Sequence, residues 1–152
     1  YLLKKAVVHA TNRQVTLLGS GAILNEVIRA ADLLFEQGIH ATVFSVTSWS
    51  ELARDGKLVE KNQMTQKIDA KTGVDMAFIT QQLLQSAGLI IAATDYVHAV
   101  PESIRAYIPE GRKYITLGTD GFGRSDTRAV LRDYFGVDAQ SIVQAVLANI
   151  QE

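Results

Sequence analysis

Three histidines, His9, His40 and His98, are the first candidates for acid–base or metal chemistry in this sequence. A metal site on one helix face needs ligands in a pattern such as His-x-x-x-His or Glu-x-x-His, and none of the three histidines lies in one. There is no cysteine, which excludes thiolate metal sites, thiol nucleophiles and disulfides. Neither a Gly-x-Ser-x-Gly nucleophile turn nor a Walker phosphate loop occurs. The sequence therefore predicts no self-sufficient active site.

The turn Gly19-Ser20-Gly21 follows a β-prone run and precedes residues with helical spacing. Amides at the start of a helix can receive a phosphate. A dinucleotide fingerprint would place glycine at position 24 and an acidic residue after the second strand. This sequence has Leu24 and continues into Val46-Thr47-Ser48-Trp49 instead. We therefore favour a structural role, in which the glycines let the turn close and the helix pack on the sheet, over ligand binding.

Asp95 ends a predicted central strand, where receiver domains carry the aspartate that accepts a phosphoryl group. A receiver domain also needs acidic residues after its first strand and a lysine after its last strand. This sequence has Gly19-Ser20-Gly21 and Gly118-Thr119-Asp120-Gly121 at those two places. We therefore interpret Asp95 as a turn or cap residue.

The most distinctive stretch is Gly118-Thr119-Asp120-Gly121-Phe122-Gly123-Arg124-Ser125-Asp126. It follows a predicted strand, so it lies at the carboxyl edge of the sheet, where α/β proteins place ligands or partner contacts. A structural turn is the alternative, with the glycines supplying unusual backbone angles and Ser125 or Asp126 capping a helix predicted over residues 126–135. The sequence favours neither. Together the two glycine-rich turns supply these candidate interface or ligand positions: Gly19, Ser20, Gly21, Asp120, Phe122, Arg124 and Ser125.

Short apolar runs alternate with amphipathic stretches along the sequence. This predicts an α/β domain with a three-layer architecture, an open, mostly parallel twisted sheet with helices on both faces. Strands are predicted at residues 15–18, 41–46, 89–93 and 114–117, and residues 5–9 can add an edge strand, antiparallel in one arrangement. The run at 89–93 is apolar on both faces, as in a central parallel strand.

The predicted helices follow from apolar spacing and end signals. Apolar positions from Ile23 to Leu34 predict the first helix, which leaves Glu26 on another face and ends at Gly38. Ser48 and Glu51 form a capping box that opens a short helix. Residues 56–73 are polar and lysine-rich, and predict a loop or a frayed helix. The remaining predicted helices are one over Met76, Ile79, Leu83 and Ala87 with Thr72 and Asp75 as caps, one from Pro101 to about Tyr107 that Pro109 stops, and one through Ile142, Val143, Val146 and Ile150.

The composition excludes several classes of function. The chain has 15 basic and 16 acidic residues, a formal net charge of −1, which provides no field for nucleic acid or anionic lipid. No apolar run approaches the ~20 residues of a membrane span, and the start of the chain does not resemble a signal peptide. We expect a cytoplasmic protein with neither nucleic acid nor membrane as a partner. Because the first residue is Tyr1 rather than Met, we expect a piece of a longer protein.

The residues of the second glycine-rich stretch carry a resemblance. Residues 117–128, continuing through Leu131-Arg132-Asp133-Tyr134-Phe135-Gly136-Val137-Asp138-Ala139, resemble the signature near the C-terminus of homodimeric bacterial pyruvate dehydrogenases. Three further blocks agree in the same order, at residues 15–24, 46–56 and 92–108. Together these blocks cover most of the chain.

The resemblance implies both an architecture and a role. Members of this family resemble transketolase, with three α/β domains per subunit, of which the first two bind thiamine diphosphate and magnesium. The whole enzyme decarboxylates pyruvate and passes the acetyl group to a lipoyl carrier. This chain resembles the third domain, so we expect residues 1–152 to form one α/β domain of a larger three-domain subunit. It would have a structural or assembly role and no catalytic, cofactor-binding or metal-binding residue. The implied partners are the other domains of the subunit, the homodimer mate and the dihydrolipoyl acyltransferase core.

Two departures from the family pattern leave alternatives. Thr119-Asp120-Gly121 with Asn149 is only a broken form of the diphosphate motif, because Thr119 replaces a glycine and Ile150 replaces a second asparagine, and we reject it. Residues 61–73 lack the proline and histidine usual in the family, so a paralogue acting on another 2-oxo acid, such as 2-oxobutyrate, is one alternative. A stand-alone α/β module that holds a small anion in its two glycine-rich loops is another. A transketolase proper, whose corresponding loop is less similar, is the third.

Overall fold

A five-stranded sheet organises the chain in the computed structural model, which describes residues 1–7, 13–65, 75–120 and 136–150. The strands are β1 (Leu2–Lys4), β2 (Arg13–Gly19), β3 (Ile39–Ser45), β4 (Leu89–Ala93) and β5 (Tyr114–Leu117). The helices are α1 (Ile23–Glu36), α2 (Trp49–Thr65), α3 (Phe78–Leu83), α4 (Ala99–Glu102) and α5 (Ala139–Asn149), with a 3₁₀ turn at Arg105–Tyr107.

The strand order is β1-β3-β2-β4-β5. β2 pairs in parallel with both β3 and β4, β4 pairs in parallel with β5, and β1 pairs antiparallel with β3. The chain crosses from β2 outward to β3 and then returns past β2 to β4. The carboxyl ends of β2 and β4 therefore form the point at which the strand order reverses. The predicted open, mostly parallel α/β sheet is confirmed.

Helices cover both faces of this sheet, as predicted. Successive strand residues point to opposite faces, so Leu17 and Ile91 pack in one core while Leu18 and Ile90 pack in the other. The first core includes the apolar faces of α1 and α5, and the second includes Trp49 of α2 together with residues of α3. All four of these strand residues are essentially inaccessible to solvent. Burial on both faces explains the continuous apolar run of β4.

The antiparallel edge strand exists, but it lies upstream of the predicted residues 5–9. β1 is Leu2–Lys4, with Leu2 opposite Phe44 and Lys4 opposite Val43. Lys5 and Val7 are outside any strand, and residues 8 and 9, including His9, lie outside the described residues. The position was wrong because a three-residue edge strand has too few residues to show a pattern of period two.

The helix predicted to be short is the longest of the described helices. α2 runs for 17 residues to Thr65, so the loop or frayed helix predicted from residue 56 is a regular helix up to that point. Residues 66–74, including Thr72, lie outside the described residues. The capping interaction at its start is present, because the Glu51 N–H donates to Ser48 Oγ over 3.3 Å. Only Trp49, Ala53 and Gly56 of α2 are buried, so most of the helix presents the polar composition of a solvated face.

The two helices that follow are shorter than predicted. α3 ends at Leu83, short of Ala87, and its first amide is not capped by Asp75. Instead, the Phe78 N–H donates to Asp55 Oδ2 of α2 over 2.7 Å. The helix predicted from Pro101 to about Tyr107 is divided into α4 and the 3₁₀ turn. The final helix forms as predicted, with Ile150 just beyond its last turn.

Candidate functional site at the carboxyl edge of the sheet

Four loops meet at the carboxyl edge of the sheet because β2, β3, β4 and β5 are parallel. They begin after Gly19, Ser45, Ala93 and Leu117, the last residues of these strands. The first glycine-rich turn and Gly118–Asp120, the described start of the second, lie at this edge. Of the seven candidate positions, Gly19, Ser20, Gly21 and Asp120 are described, and Phe122, Arg124 and Ser125 lie outside the described residues.

The first glycine-rich turn is held by a buried hydrogen-bond chain. Trp49 Nε1 donates to Ser20 Oγ over 3.0 Å, and Ser20 Oγ donates to Thr94 Oγ1 over 2.8 Å. Thr94 Oγ1 in turn accepts the Tyr96 N–H over 3.2 Å. Ser20 is only 5% exposed, and Thr94 is fully buried. The Ser20 hydroxyl therefore ties together the loops after β2, β3 and β4, where both of its partners are protein groups.

The two glycines of this turn meet different constraints. A Cβ on Gly19 would lie 2.9 Å from Val27 Cγ2, so the absence of a side chain lets α1 pack close to β2. Gly21 has φ +56°, a left-handed conformation that glycine adopts without strain. A Cβ there would lie 3.2 Å from Asp95 Oδ1, so the carboxylate of Asp95 stands beside the start of α1. A carboxylate at this place repels the phosphate that such a turn would otherwise attract.

The second glycine-rich turn is joined to the loop after β4 through His98 and Asp120. The His98 N–H donates to Asp120 Oδ1 over 2.8 Å, and the Gly118 N–H donates to His98 Nε2 over 3.1 Å. His98 Nδ1 lies 2.8 Å from Asp120 Oδ2, which is an ion-pair distance, although the alignment is poor for a hydrogen bond. Because Nε2 accepts, the geometry assigns the proton of the neutral ring to Nδ1, facing the carboxylate.

The charge state of Asp120 follows from these contacts. The hydrogen bond from the His98 backbone N–H is the largest cause that holds the pKa of the Asp120 carboxyl below its ordinary value, and the His98 side chain lowers it further. Both carboxylate oxygens are engaged by His98. Thr119 adds two contacts, in which its N–H donates to Tyr96 O over 2.9 Å and its Oγ1 donates to Asp95 O over 2.5 Å. The two loops are thus fixed to each other by side chains that engage protein groups.

The segment that carries His98 is itself fixed to β5 by a charged cluster. Arg105 donates to both carboxylate oxygens of Glu102, over 2.5 and 2.7 Å, and Thr116 Oγ1 donates to Glu102 Oε1 over 2.7 Å. The hydrogen bonds from Arg105 are the main cause that lowers the pKa of Glu102 to about 2. Tyr114 OH donates to Pro101 O over 2.7 Å, and burial raises the pKa of this phenol.

The described residues bear on the expectations about metal binding, the histidines, Asp95 and membrane spanning. Among the described residues, no group of three or more His, Asp and Glu side chains is arranged to hold a metal ion. His40 lies in β3, where its ring makes an edge contact with Phe35, and His98 lies at the carboxyl edge. Asp95 is an exposed turn residue, as predicted from the sequence. None of the described helices is long and apolar enough to cross a membrane.

Sequence reasoning missed one buried carboxylate. Glu26 was placed on another face than the apolar side of α1, but it is only 6% exposed, and its Oε2 accepts the Ala139 N–H over 3.0 Å at the start of α5. The signal was present, because Glu26 lies three residues after Ile23 and four before Ala30, both of which are buried. The spacing of Glu26 relative to these two apolar residues was therefore the signal that could have revealed its burial.

The chain shares its fold with part of two solved transketolase structures. Transketolase from Campylobacter jejuni superposes with a TM-score of 0.59 and 21% identity, over 98% of this chain and 18% of that chain. A split-gene transketolase, described as an inactive β4 tetramer, superposes with a TM-score of 0.59 and 19% identity, over 90% of this chain and 39% of that chain.

The sequence family is narrower than this fold. Residues 1–138 match the family described as the transketolase-like TK C-terminal domain, and the chain belongs to this family. Curated relatives named pyruvate dehydrogenase E1 component are 45% identical in Mycolicibacterium smegmatis, 41% in Cupriavidus necator and 39% in Escherichia coli K12. These matches cover 91%, 100% and 98% of the chain. The resemblance to bacterial pyruvate dehydrogenases is confirmed.

The chain is much shorter than these relatives. It spans 14% of the Mycolicibacterium smegmatis protein and 16% of each of the other two.

Proposed function

We propose that this chain is the C-terminal domain of a thiamine diphosphate-dependent pyruvate dehydrogenase subunit and that its own role is structural. The whole enzyme decarboxylates pyruvate oxidatively and passes the acetyl group to a lipoyl carrier. The observation that carries the proposal is the 39–45% identity to pyruvate dehydrogenase E1 components, which extends over 91–100% of this chain in the three relatives. Residues 1–152 are then one domain of a larger three-domain subunit.

The described residues do not fit thiamine diphosphate and its magnesium ion. The only residues that resemble the diphosphate motif are Asp120 and Asn149, which lie at opposite edges of the sheet. Asp120 follows the carboxyl end of β5 and is engaged by His98, whereas Asn149 Oδ1 accepts from Lys113 Nζ, over 2.6 Å, at the amino end of β5. The two side chains therefore cannot share one ion. We infer that other domains hold the cofactor, which supplies the electron sink for decarboxylation when it is bound.

The carboxyl edge is the surface that we propose meets the rest of the enzyme. Tyr96 and Val97 lie there beside the second glycine-rich turn, and they are 59% and 49% exposed. Two neighbouring apolar side chains on a fixed loop suit a contact that becomes buried on assembly. The proposed partners are the other domains of the subunit, the homodimer mate and the dihydrolipoyl acyltransferase core, in the cytoplasm. Phe122, Arg124 and Ser125 belong to the same proposed contact.

Pyruvate is the substrate that we propose, because it is the one in the names of the curated relatives. A paralogue for 2-oxobutyrate would differ in the domains that bind substrate. An anion-binding module at the two glycine-rich turns is disfavoured, because Asp95 and Asp120 place two carboxylates at that edge.

A hybrid enzyme tests this proposal. The chain replaces the matching C-terminal segment of the Escherichia coli relative, which is 39% identical over 150 residues. We expect pyruvate-dependent CO₂ release within about tenfold of the parent enzyme, a loss of at most about 1.4 kcal/mol in transition-state stabilisation. A hybrid that folds but is inactive and cannot associate would contradict the assembly role.

A pair of surface variants locates the contact within the same hybrid. Tyr96→Ser with Val97→Ser should weaken subunit association and activity. The control is Leu58→Ser with Leu84→Ser, since these side chains are 56% and 59% exposed on α2 and just after α3. Equal losses from the two pairs would place the contact elsewhere on the domain.

A further inference from the structure

A cationic cavity of about 430 Å³ opens at the amino edge of the sheet, opposite the site described above. Its lining includes Arg13, Arg112 and Lys113, and none of the described residues that line it carries a carboxylate. We propose that this cavity binds a small phosphorylated anion. The proposal does not rest on the function proposed above, because it concerns the other edge of the domain and a different ligand.

Arg112 is the fixed element of the cavity. Its Nε donates to Gly88 O over 2.8 Å, its Nη1 donates to Leu83 O over 2.7 Å, and its Nη2 donates to Thr16 Oγ1 over 2.8 Å. Each of these acceptors is a neutral oxygen. The guanidinium is therefore rigid and half-buried, and no carboxylate among the described residues neutralises its charge. Burial accordingly lowers the pKa of Arg112. A partly buried cation that is already oriented gains more from an incoming anion than a solvated one does.

Arg13 and Lys113 supply exposed positive charge around this fixed group. Arg13 begins β2, is exposed, and forms no ion pair within the described parts of the chain. Lys113 precedes β5, and its ammonium donates to Asn149 Oδ1 over 2.6 Å, a neutral partner that leaves its charge uncompensated. Four other cations among the described residues do lie within ion-pair distance of a carboxylate, namely Lys4, Arg29, Arg54 and Arg105. Within the described parts of the chain, no ion pair neutralises the three cations that line this one cavity.

The shape of the cavity selects the class of ligand. A volume of about 430 Å³ is in the range of small-molecule sites and is too small for a folded partner. The exposed guanidinium of Arg13 can recognise phosphate through paired hydrogen bonds, whereas Arg112, whose nitrogens already donate to protein oxygens, and Lys113 contribute positive charge. Leu89 and Ile150 line the same cavity, so an apolar part of the ligand also has a surface to contact. A phosphate ester with two or more negative charges meets all of these requirements.

Inorganic pyrophosphate is the probe for the test, with the 152-residue chain at low salt in a calorimeter. We expect a dissociation constant below about 1 mM. Arg13→Gln with Lys113→Gln should weaken binding about tenfold or more. The matched control is Lys5→Gln with Lys57→Gln, which removes the same charge from exposed positions outside the cavity and should leave affinity within about twofold. Arg112 is left unchanged because its hydrogen bonds hold the fold together.

Amide chemical shifts give the second readout. Pyrophosphate should shift the amides of Gly88 and Gly111, which line the cavity, and leave those of Gly19 and Gly21 at the other edge unchanged. Absence of binding, equal weakening by both double variants, or shifts at the carboxyl edge would each overturn the proposal. Tighter binding of hexaglutamate than of pyrophosphate would also overturn it, in favour of an acidic protein segment. None of these outcomes bears on the decarboxylation assays that test the proposed function.

Discussion

Asp120 accepts the His98 backbone N–H through Oδ1 at 2.8 Å, while its Oδ2 lies 2.8 Å from Nδ1 of the same histidine. One carboxylate thus holds both the backbone and the ring of the residue that precedes α4. The Gly118 N–H completes the arrangement from the other side of the ring. The two loops that end β4 and β5 are fixed to each other at the edge where we propose that the domain meets the rest of its enzyme.

Replacing this carboxylate should loosen both loops. In Asp120→Ala we expect faster hydrogen exchange at the amides of His98 and Gly118, because their acceptors are removed or released. Asp95→Ala is the matched control, since Asp95 contributes its backbone oxygen rather than its carboxylate to Thr119. Because the Asp120 pKa is lowered, the wild-type protection should be fully present above the ordinary carboxyl pKa and be lost as the pH falls from there through the lowered pKa. Exchange rates equal to wild type in Asp120→Ala would contradict this.

The buried hydroxyl of Ser20 should contribute substantially to the free energy of unfolding. Ser20→Ala leaves Trp49 Nε1 and Thr94 Oγ1 without their partner in a site that excludes water. We expect a loss of about 1–3 kcal/mol in the free energy of unfolding. Urea titration followed by the fluorescence of Trp49, the single tryptophan, measures it. Ser50→Ala, at an exposed position one residue after this tryptophan, should change stability by less than about 0.5 kcal/mol.

Gly88 and Gly38 have nearly the same φ angle, but substitution by alanine should destabilise the protein by different amounts at the two positions. Gly88 has φ +78°, and a Cβ there would lie 1.8 Å from Gln14 O, so Gly88→Ala must displace β2 from β4. Gly38 has φ +76° with nothing within 4 Å of the added atom. Gly38→Ala should cost about 1 kcal/mol, from the backbone conformation alone. We expect Gly88→Ala to cost more than about 3 kcal/mol or to prevent folding. Similar unfolding midpoints for the two variants would contradict the close approach.

The Glu102–Arg105 pair predicts a pH dependence of stability. The folded pKa of Glu102 is about 2, against an ordinary value of 4.5, so its contribution is fully present above pH 4.5 and is lost as the pH falls towards 2. The difference between these two pKa values corresponds to at most roughly 3.5 kcal/mol, at about 1.4 kcal/mol per pKa unit. Since 35% of this side chain is exposed, solvent screening reduces the expected value to about 1 kcal/mol.

Glu102→Gln measures that contribution. The variant should be less stable than wild type by about 1 kcal/mol at pH 7, and the difference should shrink as the pH is lowered from 4.5. Glu36→Gln, an exposed position on α1, should show neither effect. A destabilisation by Glu102→Gln that is independent of pH would assign the effect to packing rather than to charge.

The elements that sequence predicted best are those whose residues are buried on a regular period. β4 and α1 were recovered because their apolar positions report which faces are covered. α2 was predicted too short because the residues from Gly56 onward are polar and lysine-rich, without a clear apolar period. In the structure, a Cβ at Gly56 would lie 2.4 Å from the Tyr107 ring. This glycine therefore lets α2 pack closely against Tyr107. A contact between residues so far apart in the chain has no local signature.

The same limit applies to the candidate site. The sequence correctly placed the start of the second glycine-rich turn at the carboxyl edge, and the parallel pairing of the strands brings the first turn to the same edge. It could not show that Ser20 is tied to Trp49 and Thr94, since these hydrogen bonds join loops from three different strands. The cap that Asp55 provides for α3 was unpredictable for the same reason, because it joins two different helices. The sequence had suggested the nearby Asp75 as the cap.

The most direct test of the central claim is pyruvate decarboxylation by the 152-residue chain alone. The chain is assayed with thiamine diphosphate, magnesium and an artificial electron acceptor, and CO₂ release from pyruvate is measured, with the Escherichia coli hybrid as the positive control. We predict that the hybrid releases CO₂ while the isolated chain gives no more than the blank, because the domain contributes structure and the cofactor is held elsewhere. Turnover by the isolated chain would place an active site within these residues and contradict the account.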